Sequence, residues 1–285
     1  MRLGVCTTDF PTMPADKLFA KIKQLGFESV QLCFSTVAEC SFESTPHCDL
    51  PPYIDDAAIE AIANAADRYG LELAGANGTC NLIHPDARMR AEFLSRFDEF
   101  ADACCQLGIE VITLCSGTRS REGMWTLHPD NHTPDAWNDL RESLSFCAAV
   151  AEKYGLTLAI ETEASNVIDT PQRARQILDE IGSPALKMVL DAANLFLPGT
   201  AHRSNVRSVL TQAFDAFGHD IVAAHGKDIL DTDGIVFAPT GEGIIDYPFF
   251  VQKLTEYGYD GDFLLHSVFD EAKMQTAATM LKNIL

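Results

Sequence analysis

Eight short apolar runs alternate with eight amphipathic stretches of helical period from one end of the chain to the other. The runs occupy 2–6, 28–33, 71–76, 110–115, 156–161, 186–191, 220–225 and 262–267. The helical stretches occupy 14–25, 56–69, 86–107, 135–154, 170–182, 202–217, 245–257 and 270–284. The runs have strand length, and the stretches between them repeat their apolar residues at helical spacing. Such alternation predicts parallel strands covered by helices. Eight regular units with no composition break predict one (β/α)8 TIM barrel, a single domain over 1–285. An open doubly wound sheet is the alternative, but it has no need of eight regular units. Gly26, Gly70, Gly108, Gly155, Gly182 and Gly258 sit where helices should stop, and Pro14, Pro85, Pro134, Pro171 and Pro248 near where they should start.

Four runs in the second half end in side chains of a metal-ligand type: Leu156-Thr-Leu-Ala-Ile-Glu161, Leu186-Lys-Met-Val-Leu-Asp191, Ile221-Val-Ala-Ala-His225 and Phe263-Leu-Leu-His266. Side chains alternate along a strand, so Glu161 and Asp191 share a direction with Ala159 and Val189 and point toward the barrel axis. Parallel strands put all four ends at one rim. Two carboxylates and two imidazoles there suit a divalent transition metal, Mn, Co, Zn or Fe, with Mg also admissible. The segments 34–55, 116–134 and 226–244 are long and lie on the same rim, where barrel enzymes build substrate pockets.

The formal charge is −20, which repels nucleic-acid phosphates and favours a small-molecule substrate. Nine cysteines, an odd number without a Cys-x-x-Cys pair, read as buried free thiols in a reducing compartment. No window approaches a membrane span, and the N-terminus lacks a signal-peptide pattern. A cytoplasmic protein is expected; assembly into a homo-oligomer stays open.

Several stretches carry a family likeness along essentially the whole chain. They include Asn77-Gly-Thr-Cys-Asn-Leu-Ile-His-Pro-Asp86, Ser116-Gly-Thr-Arg119, Ile160-Glu-Thr-Glu163, Leu190-Asp-Ala-Ala-Asn-Leu-Phe196, His225-Gly-Lys-Asp228 and Tyr257-Gly-Tyr-Asp-Gly261. In these the chain resembles the sugar phosphate isomerase/epimerase group of xylose isomerase-like TIM barrels. The resemblance implies a divalent metal held by Glu161, Asp191 and His225. Many members supply a second Glu from strand eight, where this chain has His266, and many sugar epimerases carry a His where it has Asn194. The epimerases' use of two glutamates on opposite substrate faces therefore does not carry over.

The remaining candidates have two readings each. Glu163 either acts as a general base or orients a ligand, or it is a solvated loop acid. Lys227 and Asp228 either grip a substrate oxyanion or form an ion pair at the strand end. His84, Arg119 and His128 either meet substrate, by proton transfer, anion binding or hydroxyl binding, or are solvated loop side chains. Trp125 either covers a sugar face or anchors its loop. His266 is either a fourth metal ligand or a partner of substrate or of another ligand. These residues suggest a metal-dependent isomerase or epimerase of a sugar or polyol working through an enediolate. A polyol or inosose dehydratase is the runner-up. A metal-dependent endonuclease for damaged DNA and a non-catalytic sugar-binding barrel are the more distant alternatives.

Overall fold

A computed structural model describes residues 1–285. Strands β1 (Arg2–Cys6), β2 (Ser29–Leu32), β3 (Glu72–Asn77), β4 (Val111–Cys115), β5 (Thr157–Glu161), β6 (Leu186–Asp191) and β7 (Ile221–Gly226) are followed by a short pair, β8 (Asp228–Ile229) and β9 (Phe237–Ala238). The last barrel strand is β10 (Asp262–Leu265). The barrel is closed and parallel in the order β1-β10-β7-β6-β5-β4-β3-β2, so the expected architecture is the observed one.

Helices α1 (Ala15–Gln24), α2 (Asp56–Tyr69), α3 (Ala87–Ser95), α4 (Phe97–Gln106), α5 (Pro134–Tyr154), α6 (Pro171–Ile181), α7 (Val206–Phe217), α8 (Tyr247–Glu256) and α9 (Glu271–Lys282) form the outer layer. The stretch 86–107 is two helices rather than one. The Ser95 hydroxyl donates to the Glu92 carbonyl at 2.6 Å. The Arg96 N–H turns to the Phe93 carbonyl, and the helix tightens and breaks there. Thr133 before Pro134 and Thr170 before Pro171 cap α5 and α6, each accepting from a first-turn N–H. Gly155 and Gly182 end those helices at φ 70° and 64°, a region open to glycine, and turn the chain directly into β5 and β6.

Ala159, Val189 and Ala223 form a small apolar cluster of their own, apart from the large core between sheet and helices. They occupy inward positions two residues below Glu161, Asp191 and His225 and fill a narrow interior that pushes those polar ends to the rim. All nine cysteines are free. No helix is long and apolar enough to cross a membrane.

Candidate active site

Glu161, Asp191 and His225 converge at the rim, each offering an atom within 4.8 Å of the others. Asp191 and His225 are register partners on β6 and β7, which fixes their proximity through the backbone. His225 Nδ1 lies 3.6 Å from Glu161 Oε1 and 3.9 Å from Asp191 Oδ2. Asp191 is divided in its work. Its Oδ1 accepts from the N–H groups of Ala193 and Asn194 at 2.9 and 3.3 Å, while its buried Oδ2 has no partner.

The tautomer of His225 follows from its neighbours. Gln31 Nε2 donates to Thr113 Oγ1 at 3.1 Å, which turns the Gln31 carbonyl oxygen toward His225. His225 Nε2 lies 2.9 Å from that oxygen and donates to it. Nδ1 is then left with a lone pair, and it too is buried without a partner. Two oxygens and one imidazole nitrogen, with Asp191 Oδ2 and His225 Nδ1 otherwise unsatisfied, suit a borderline divalent cation.

The charges call for the same thing. Burial pushes the His225 imidazole down, but Glu161 and Asp191 overcome it and the net shift is upward. Burial raises Glu161, yet His225, Lys227 and His266 outweigh it and hold that carboxyl down at about 2. Asp191 goes up, through burial and its like-charged neighbour Glu161 against the pull of Lys227 and His225. Buried carboxylates this close favour positive charge between them.

Beside the triad runs a chain of hydrogen bonds. Lys227 Nζ donates to Asn194 Oδ1 at 2.6 Å, and Asn194 Nδ2 donates to Glu161 Oε1 at 2.7 Å. Lys227 also lies 3.6 Å above the centre of the Phe237 ring. Glu163 is buried in the same wall, with the Ser165 hydroxyl donating to it at 3.4 Å. Burial, with Glu161 and Asp191 adding to it and Lys227 opposing, raises its carboxyl to about 7.

His266 does not join the group of three. β10 ends at Leu265, and Ser267 takes φ 60°. Both Asp9 oxygens accept from the backbone just beyond, Ser267 N–H at 2.9 Å and Val268 N–H at 2.8 Å. The chain is thereby drawn toward β1. His266 Nδ1 faces Asp9 Oδ1 at 3.7 Å, while its ring centre stays 5.2 Å from that of His225.

A cavity of about 580 Å³ opens above these residues. Glu161, Glu163, Asn194, His225, Lys227, His266 and Trp125 line it. The other candidates lie elsewhere. His84 is buried, its Nδ1 accepting from the Asp86 N–H at 3.1 Å, its ring edge-on to His47. Arg119 is held by the Ile83 carbonyl at 2.9 Å and by Asp139 at 2.6 Å. His128 accepts from the Asp130 N–H at 3.2 Å. Asp228 accepts from the N–H groups of Ile229, Gly241 and Ile245, which ties the segment between β9 and α8 to β8. These four support the loops that wall the cavity, and none of them lines it.

Sequence reasoning missed Gln31, Asn77, Asp49 and Thr113, which all line the cavity. Asn77 ends β3 as Glu161 ends β5 and was open to the same rule; it donates to Asp49 Oδ2 at 3.0 Å. Gln31 is the one amide inside an apolar strand, a signal of an inward-facing partner.

Residues 19–284 match the family model described as xylose isomerase-like TIM barrel. An L-ribulose-5-phosphate 3-epimerase of Shigella flexneri is 26% identical over 263 residues, covering 91% of this chain and 84% of that protein. An inosose dehydratase of Histophilus somni is 21% identical over 233 residues, 75% of each. The crystal structure of an IolI protein with a bound zinc atom superposes with a TM-score of 0.70 at 18% identity, covering 100% of this chain and 98% of that one.

Proposed function

The chain belongs to the xylose isomerase-like TIM barrel family, and from that footing we propose that it is a divalent-metal-dependent isomerase or epimerase of a carbonyl-bearing sugar or polyol. One observation carries the reading: the unsatisfied ligand atoms of Asp191 and His225 group with Glu161 beside a cavity that Glu161, Glu163 and His225 line. Glu161, Asp191 and His225 would hold the cation, and when bound it polarises a substrate carbonyl and acidifies the neighbouring C–H. Mixed nitrogen and oxygen ligation favours Mn, Co, Zn or Fe, with Mg admissible.

The chain's own groups then divide the work. Glu163, buried in the cavity wall two residues from Glu161, removes the carbon-bound proton and can return it. Lys227, oriented by Asn194, offers an ammonium to the substrate oxygen on which negative charge develops.

Glu163 can shift a proton between adjacent carbons, and with the hydroxyl proton passing to the former carbonyl oxygen this is isomerisation. Epimerisation needs a proton from the other face. His266 stands three strands from β5 around the barrel, and with Nδ1 turned to Asp9 it keeps its other ring edge for the cavity. The same unlike pair, a carboxylate and an imidazole, also suits removing a proton and protonating a departing hydroxyl. Dehydration is therefore the second reading, and the similarity to an inosose dehydratase supports it. The formal charge of −20 speaks against a DNA substrate, and the unsatisfied ligand atoms speak against a non-catalytic binder.

The test is a screen of ketoses, aldoses and inososes with Mn-, Co- or Zn-loaded protein, read by NMR. The expected result is a product of the same mass as the substrate, formed with metal and not in chelator. A product lighter by one water selects dehydration, and no conversion with any metal overturns the assignment.

A further inference from the structure

The segment after β2 meets the segment after β3 in a short antiparallel pair. The Asp49 N–H donates to the Thr79 carbonyl at 2.8 Å, and the Asn81 N–H donates to the His47 carbonyl at 2.8 Å. Cys48 and Cys80 stand opposite each other between these two bonds. They are a non-hydrogen-bonded pair, the closer of the two antiparallel spacings, with Cα atoms about 4.5 Å apart. Disulfides span Cα separations of about 4.4–6.8 Å, so this pair can be bridged with little backbone movement. Both thiols are free and buried.

Other neighbouring thiols are placed differently. Cys104 and Cys105 are adjacent on α4 and diverge around the helix. The Cys115 thiol turns to the Cys80 carbonyl at 3.5 Å, and Cys33 accepts from Asn77 Nδ2 at 3.6 Å. Cys48 and Cys80 are also chemically unequal. A hydrogen bond from the Cys80 thiol, with Arg96 adding to it, outweighs burial and brings Cys48 down. The same bond, with burial, takes Cys80 well up. The lowered thiol supplies the attacking thiolate, and its neighbour the thiol that resolves. Ser44, Thr45 and Pro46, just before Cys48, are exposed, and opening of that segment admits a small oxidant.

We propose that Cys48 and Cys80 are a reversible oxidation site, closed to a disulfide by a hydroperoxide and reopened by a small thiol. The Cys48 thiolate attacks one peroxide oxygen: the S–O bond forms, the O–O bond breaks and hydroxide leaves. The Cys80 thiol then attacks the Cys48 sulfur: the S–S bond forms, the S–O bond breaks, and the hydroxyl leaves with the Cys80 proton as water. With the proton that Cys48 gave up, two thiols are oxidised and one hydrogen peroxide is reduced to two waters. In a reducing compartment such a bond is transient and serves sensing. Asp49 and Thr79, the chain neighbours of the two sulfurs, line the substrate cavity, and Asp49 accepts from Asn77 at 3.0 Å. The disulfide therefore ties together the two segments that form this part of the cavity wall. The proposal is independent of the reaction class.

The test uses the full chain loaded with Zn, which has no redox chemistry of its own. The protein is treated with hydrogen peroxide, its remaining thiols are alkylated in denaturant, and it is cut with trypsin and Glu-C without reduction. Cuts after Glu43 and Glu60 isolate Cys48, and cuts after Glu72 and Arg88 isolate Cys80. Mass spectrometry should find these two peptides joined, with two fewer of the nine thiols titrating and both restored by dithiothreitol. The oxidised protein should melt about 5 °C higher than the untreated one, because the bond closes a loop in the unfolded chain. Cys48→Ser and Cys80→Ser should each abolish the linked peptide and the shift. Oxidation confined to Cys105, a cross-link from Cys80 to Cys115 or Cys147, or two peptides that stay separate overturns the proposal. So does a link that forms only in urea, or one that lowers the melting temperature.

Discussion

Glu161→Gln is expected to strip the protein of its divalent metal and of its activity together. Gln keeps the volume of Glu161 and still offers an oxygen to Asn194 Nδ2, which now bonds Glu161 at 2.7 Å. What it removes is one negative charge from a buried cluster that needs a cation. Metal affinity should fall by more than about 100-fold, beyond the roughly 10- to 100-fold that loss of a supporting hydrogen bond costs. Gln31→Leu provides that smaller comparison, since it leaves the ligand set whole and takes away the acceptor that holds His225 Nε2 at 2.9 Å, along with the bond to Thr113. Metal content after gel filtration, measured by mass spectrometry beside turnover, checks both. A Glu161→Gln protein with full metal and full turnover would mean that the centre lies elsewhere.

Glu163→Gln should separate metal binding from proton transfer. The carboxyl is buried, lines the cavity and is raised to about 7, mainly by burial. Gln fills the same space without a basic oxygen. The expected result is a fall in kcat of about 10²- to 10⁴-fold, the usual contribution of a positioned general base, at unchanged metal content and nearly unchanged KM. A loss below about ten-fold would pass the role of base to another lining group, with His266 the first in order.

These two residues show where a sequence of this kind is readable. Glu161, Asp191 and His225 each end an apolar run, so pattern gave the barrel and placed these three at one rim together with His266, while the family resemblance singled out the three. The same rule applied to β3 points to Asn77. Gln31 escaped because it lies inside its strand rather than at the end. His84, Arg119, His128 and Asp228 were placed on the correct rim, but they hold backbone groups of the rim loops, Arg119 bridging from its own loop to the one after β3. Spacing shows that a loop is long and does not show which of its side chains fold it. His266 depended on the same information. Its direction is decided by Asp9, more than two hundred residues away in the chain, which captures the turn after β10. Only closure of the barrel brings β1 and β10 side by side.

The central claim is that a cation held by Glu161, Asp191 and His225 lets Glu163 move a carbon-bound proton. The most direct measurement is NMR of a substrate in D2O with metal-loaded protein, chelator-treated protein and Glu163→Gln. Deuterium should enter at the carbon beside the carbonyl with the loaded protein, stop in chelator and return when Mn, Co or Zn is restored. Glu163→Gln, fully loaded, should exchange at least about 100-fold more slowly. Turnover or exchange that continues unchanged after the metal has been removed, or at the full rate in metal-loaded Glu163→Gln, would contradict it.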